Sequence, residues 1–150
     1  MWKYVSSDAN NISLHDHLID EVSIKYNDIF LVFNGGFDVI KTHPLNDTGK
    51  SKHTGKSQII LNSARFLKGI SYPFQSEERE IGISIFTNDF SKFEVLDFQV
   101  RDSIFALYGN LHEKPTNLFE YSEIVFSYKD IDFCWHNYIC DAWFEDWADE

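Results

Sequence analysis

Alternation of apolar and polar residues is the feature that most limits the folds open to this chain. Residues 19–26 alternate after an acidic start, the pair Asn27 and Asp28 supplies a turn, and the apolar run 29–33 returns. Asn34, Gly35 and Gly36 then turn the chain into residues 37–40. Alternation joined by such turn residues predicts a three-stranded antiparallel meander.

Further short runs with strand character follow, each bounded by turn-forming or charged residues, at 58–67, 81–86, 93–98, 103–108 and 123–128. Many short strands without alternating helices predict a mainly β chain, folded as a single-domain antiparallel sandwich or open barrel over residues 1–150. One short C-terminal helix is expected, because Asp141 can cap it and Trp143 and Trp147 are spaced i and i+4.

Length and composition indicate an ordinary globular protein of one domain. A chain of 150 residues can bury a full core as one domain. It contains no run of eighteen apolar residues and its start lacks the pattern of a secretory leader. Only two cysteines are present, which favours reduced thiols over a disulfide framework. The expected location is the cytoplasm.

Charge is divided unevenly along the chain. Residues 1–70 carry eight Lys/Arg and seven Asp/Glu, whereas residues 71–150 carry five and seventeen, so the balances are +1 and −12. A field of this sign repels nucleic-acid phosphates and anionic membranes and attracts basic partners. The expected partner is therefore a basic protein.

The stretch TGKSKHTGKS, residues 48–57, contains the tetrapeptide TGKS twice. A nucleotide-binding loop of the Walker type needs a glycine five positions before the glycine of its GK[ST] element, and before Gly55 that position holds Lys50. Nucleotide hydrolysis is therefore not predicted. The segment 41–56 is interpreted as a long mobile loop, and as an alternative it could bind a small anion through cations near Gly49 and Gly55, namely Lys50, Lys52, His53 and Lys56.

Two groups of residues could ligate a metal. His15 and His17 would share one face of an extended segment, but a third ligand would have to come from His43, His53 or His112. Cys134, His136 and Cys140 form the second group, which lacks the paired spacing of structural zinc sites. No metal and no cofactor is assigned from the sequence.

No complete catalytic set is visible either. Nothing near Cys134 would lower the pKa of a thiol nucleophile. Glu77, Glu78 and Glu80 flank Arg79 in a polar turn, which is typical of a solvated face rather than of an acid and base pair. The sequence favours a protein that is not an enzyme.

The C-terminal segment combines acids with large aromatics and contains no basic residue. Aromatic anchors surrounded by carboxylates suit recognition of a basic protein surface. The alternative is a terminal helix whose rings close the core while its acids face water. The candidate partner-binding residues are Asp141, Trp143, Glu145, Asp146, Trp147 and Asp149.

The step Leu14-His15-Asp16, followed by a strand, a turn and a second strand ending at Gly36-Phe37, resembles the opening of a set of small bacterial β-rich proteins. Residues 54–61 and 93–98 are similar to later parts of those proteins. Small acidic proteins of this kind often act as immunity proteins beside polymorphic toxins, so the resemblance implies a binding role.

These observations predict a non-enzymatic cytoplasmic binding protein. Its most concrete form is an immunity-type inhibitor that masks a basic toxin domain with its acidic second half. The alternative is a protein that binds a small anion or phosphate ligand through the 41–56 loop.

Overall fold

The computed structural model describes residues 1–114 and 119–147. Most of these residues lie in short strands, as the alternation predicted. In chain order the strands are β1 Tyr4–Ser6, β2 Ile12–Ser13, β3 Leu18–Ile19, β4 Glu21–Lys25, β5 Asp28–Phe33, β6 Asp38–Val39, β7 Lys52–Thr54, β8 Ser57–Asn62, β9 Arg65–Tyr72, β10 Arg79–Glu80, β11 Phe90–Arg101, β12 Ile104–Glu113, β13 Phe119–Ser127, β14 Asp130–Trp135 and β15 Tyr138–Asp141.

Within the described ranges the strands form three antiparallel sheets. The first has the order β1-β14-β8-β5-β4, and the second has the order β10-β9-β13-β12-β11-β3. The third and smallest has the order β15-β7-β6-β2. Two strands of the predicted meander are confirmed as the β4–β5 hairpin, with Ile24 opposite Ile29, but the third is wrong, because β6 pairs with β2 and β7 in the third sheet.

Inward-facing residues of the two larger sheets belong to one hydrophobic core. Alternate positions of β5 are buried, as are Phe105 and Leu107 of β12. The rings of Phe98 on β11 and Phe133 on β14 lie 6.3 Å apart, which places side chains of both sheets in contact range. The arrangement is a β-rich sandwich, which confirms the predicted fold class.

The short helix is not where the sequence placed it. Helix α1 spans Ile83–Asn88, so the strand predicted at 81–86 is wrong. The tail instead forms one 3₁₀ turn, Glu145–Trp147. Over so short a run, the apolar residues of 81–86 fit both the period of a strand and that of a helix. Burial of Phe86 against Phe90 and Phe93 favours the helix.

The third sheet places Asp38 beside His53, two residues of a cluster described in the next section. Strand β6 pairs on one side with β2 and on the other with β7, so Asp38 lies opposite both Ser13 and His53. Gly36 allows this approach: its φ is +83°, and a Cβ there would lie 2.2 Å from the carbonyl oxygen of Thr54. In the described part of the chain, no helix is long and apolar enough to cross a membrane.

Candidate functional site

The acidic tail is tied to the rest of the protein. The Asp141 carboxylate lies 2.6 Å from Lys52 Nζ and 3.7 Å from Lys50 Nζ, and these contacts lower the pKa of Asp141. Glu145 is buried, and its Oε2 accepts a hydrogen bond of 2.6 Å from the backbone N–H of Ser51. These two carboxylates therefore serve intramolecular contacts.

The other residues of the predicted tail surface divide into two groups. Trp143 is half-exposed and its ring lies 6.1 Å from the ring of His15, while Asp146 is exposed. Asp149 and the side chain of Trp147 lie outside the described residues. The tail does not present the predicted set as one open acidic surface, because Asp141 is paired with two lysines and Glu145 is buried against the backbone of Ser51.

The 41–56 segment has an ordered network of hydrogen bonds in place of an open cradle for an anion. The buried amide of Asn46 donates to the carbonyls of Val39 and Lys50. Lys50 and Lys52 contact Asp141, and His53 lies 2.9 Å from Asp38, so three of the four residues named for an anion site already face a carboxylate. In the second TGKS copy Thr54 and Ser57 are buried and their hydroxyls lie 2.5 Å apart.

A different part of the surface combines exposed aromatics with carboxylates, at one end of the second sheet. Tyr72 on β9 lies opposite Tyr121 on β13, with ring centroids 6.0 Å apart. Phe119 is two residues from Tyr121 and stacks on His112 at 5.1 Å, and Phe74 follows Tyr72 by two residues. The exposed fractions of Tyr72, Phe74, Phe119 and Tyr121 are 40%, 89%, 63% and 43%.

Carboxylates occur in the same segments of the chain as these rings. Residues 72–80 and 113–121 contain five acids and two basic residues, a balance of −3. Arg79 Nη2 contacts Glu113 and lies 3.0 Å from Glu120 Oε2, while Glu77 and Glu78 are exposed. We call this surface the acidic-aromatic end; its members are Tyr72, Phe74, Glu77, Glu78, Glu80, Glu113, Phe119, Glu120 and Tyr121.

A second cluster lies where the third sheet meets the segment before β3. The carboxylate of Asp38 is fully buried; one oxygen lies 2.8 Å from His17 Nε2 and the other 2.9 Å from His53 Nδ1. The two imidazole rings are 4.9 Å apart. His53 Nε2 lies 2.6 Å from the carbonyl oxygen of Gly35, and because a carbonyl can only accept, that nitrogen carries a proton. We call these three residues the His-Asp-His cluster.

The second group of possible ligands does not come together. Cys134 is buried on β14, and this burial raises the pKa of its thiol to about 12. Cys140 is exposed on β15, and the ring of His136 stacks on Trp2 at 4.6 Å. His15 Nδ1 donates to the backbone carbonyl oxygen of Leu96 at 2.7 Å, and His15 is not part of the His-Asp-His cluster.

Sequence reasoning missed Asp38 as a candidate, and it named His53 both for the anion site and as one possible third metal ligand beside His15 and His17. One signal was available, because Asp38 is a charged residue in the apolar run Phe37-Asp38-Val39, and a carboxylate in a buried strand requires partners. The carboxylates of the acidic-aromatic end were interpreted as a solvated turn, and the sequence did not reveal the rings across the sheet. Comparison of the chain with protein-family models, curated proteins and solved structures finds no match.

Proposed function

We propose that the protein is a non-enzymatic binding protein of the cytoplasm whose acidic-aromatic end docks on a basic segment of a partner protein. The observation that supports it best is the set of four exposed aromatic rings, with the exposed carboxylates of Glu77, Glu78 and Glu80 nearby in the chain, at one end of the second sheet. An immunity-type inhibitor that masks a basic toxin domain is the most concrete form of this function.

The rings supply the apolar contact that such docking needs. Tyr and Phe fill pockets on a partner with little loss of side-chain freedom, and residues of this kind dominate binding energy at protein interfaces. Tyr72 and Tyr121 stand side by side on adjacent strands, so the sheet holds them in place before binding. Preorganisation of this kind lowers the entropic cost of association.

The carboxylates supply the preference for a basic partner. Arg79 offsets part of the charge of Glu113 and Glu120, while Glu77, Glu78 and Glu80 remain exposed around it. The whole chain has a formal net charge of −11, so its long-range electrostatic field also attracts a basic partner. Complementary charge raises the association rate and makes it fall with added salt.

The experiment is a titration of the full chain with a short Lys/Arg-rich peptide carrying apolar residues, followed by amide chemical shifts at low and high salt. The largest shifts are expected in residues 72–80 and 119–121, with binding weakened by salt. An acidic peptide of equal length should produce none. Shifts that map elsewhere, or none at all, would contradict the proposal.

Variants separate the contribution of charge from that of the rings. Glu77→Gln with Glu78→Gln should slow association, and Tyr121→Ala should speed dissociation and weaken affinity about tenfold or more. The charge control is Asp102→Asn with Asp130→Asn, both exposed carboxylates outside this surface. The apolar control is Ile24→Ala, a half-exposed residue on the edge strand β4. Equal effects of the controls would refute the assignment of this surface.

A further inference from the structure

We propose that His17, Asp38 and His53 form a binding site for a divalent transition metal ion, with zinc the best fit. This site is independent of the acidic-aromatic end and of the partner binding proposed above.

The donor atoms already converge. His17 Nε2, an Asp38 carboxylate oxygen and His53 Nδ1 all lie within 4.8 Å of one another. In a tetrahedral zinc site, bonds of about 2.0–2.2 Å place the ligand atoms about 3.3 Å apart. His17 Nε2 and His53 Nδ1 lie 2.8 and 2.9 Å from different oxygens of the Asp38 carboxylate, so each of these separations needs to open by about 0.5 Å for a metal ion to replace the two contacts.

Backbone hydrogen bonds and strand pairing fix the positions of the three ligands. The Nε2–H of His53 donates to the Gly35 carbonyl, so Nδ1, which faces Asp38 at 2.9 Å, is the nitrogen that would ligate a metal in place of that contact. His17 is anchored through its main chain, because its N–H donates to Leu14 and its carbonyl accepts from Val95. Asp38 is held between β2 and β7 by strand pairing on both sides. Support of ligating histidines by carbonyls and strands is typical of metal sites in proteins.

Burial and local charge favour a cation. The side chain of Asp38 is 0% exposed, so its carboxylate has lost its water and depends on the two imidazoles beside it. A bound cation would replace those contacts with stronger ones. Asp16 and Asp20 line the adjacent cleft and add negative charge around it.

The cleft leaves the metal accessible. It has a volume of about 420 Å³ and is lined by both histidines, whose side chains are 14% and 23% exposed. Three protein ligands with a fourth position open to solvent are the arrangement found in exchangeable and catalytic zinc sites, whereas structural sites use four protein ligands. A ligand set of two imidazoles and one carboxylate also suits iron, cobalt and nickel.

The test uses the full chain without a polyhistidine tag, stripped of metal by a chelator and titrated with Zn²⁺ by calorimetry. One equivalent is expected to bind, and zinc should raise the unfolding temperature. Titration with Co²⁺ should give the intense visible absorption of a tetrahedral complex. A wild-type protein that binds no metal, or binds with no change in unfolding temperature, would overturn the proposal.

His17→Ala and His53→Ala remove ligands that are partly exposed, so both variants are expected to fold. Each should lose zinc affinity by a factor of a hundred or more and lose the cobalt absorption. His15→Ala and His136→Ala remove histidines outside the cluster and should bind as the wild type does. Binding that survives both ligand variants, or is lost equally in the controls, would show adventitious coordination by surface histidines and refute the site.

Discussion

Replacing Glu145 by Ala tests whether the tail is held to the body of the protein as the structure indicates. Glu145 is 9% exposed and its Oε2 accepts the backbone N–H of Ser51, itself 3% exposed, at 2.6 Å. The segment around it is fixed by a second bond, from the N–H of Ala142 to the carbonyl of Ser51. The substitution leaves the buried N–H of Ser51 without its acceptor.

The expected cost follows from that contact. A hydrogen bond to a charged group contributes about 1.5–3 kcal/mol, and an unsatisfied buried donor costs about 1–3 kcal/mol. We therefore expect Glu145→Ala to lower the free energy of unfolding by about 2 kcal/mol. Glu145→Gln keeps an oxygen that can accept the hydrogen bond but removes the charge, so it should lower the free energy of unfolding by roughly half as much.

Urea denaturation followed by fluorescence gives these free energies, and hydrogen exchange reports the Ser51 amide directly. The matched control is Asp146→Ala, an exposed carboxylate in the same turn, which should change stability by less than about 0.5 kcal/mol. Ser51 should exchange faster in Glu145→Ala alone. If the two alanine variants were equally stable, or Ser51 stayed protected in both, the tail contact described here would be refuted.

Two further predictions concern buried titratable groups. Burial lowers the pKa of His43 below its usual 6.5, so the folded state favours the neutral ring. The stability that this ring contributes is present above pH 6.5 and is lost as the pH falls through the lowered pKa. His43→Gln should therefore reduce the loss of unfolding free energy measured between pH 7.5 and 5.5. The pKa of about 12 at Cys134 keeps its thiol protonated. A thiol reagent at neutral pH should therefore modify the exposed Cys140 of the native protein and reach the buried Cys134 only after unfolding. Rapid reaction of both thiols in the native protein would contradict the burial of Cys134 on β14.

Local patterns were sufficient for strands with one clearly buried face, such as β5 and β13. The alternation of 93–98 and 123–128 is part of the longer strands β11 and β13, and the hairpin of β4 and β5 was predicted by its turn residues. Residues 58–67 were predicted as one strand but contain all of β8 after Ser57 and the start of β9, separated by a turn in which Ser63 has a φ of +48°. A non-glycine residue in that conformation has no distinct sequence signal.

The two sites depend on contacts between distant residues, which local patterns do not encode. Asp38 is 21 residues from His17 and 15 from His53, and sheet pairing brings the three together. Tyr72 and Tyr121 meet only because β9 pairs with β13. The tail contained the right kinds of residue for a binding surface, but Lys52 and the N–H of Ser51 engage Asp141 and Glu145. Charge composition predicts a basic partner, but it does not locate a docking surface.

The most direct test of the proposed function is native mass spectrometry combined with hydrogen exchange, on the protein purified from its own host at low salt. We expect a basic protein bound at defined stoichiometry and released as salt rises, with protection of residues 72–80 and 119–121 that disappears on release. A retained basic partner that protects a different surface would contradict the assignment of the acidic-aromatic end. A protein that carries no basic partner under these conditions would contradict the binding function itself.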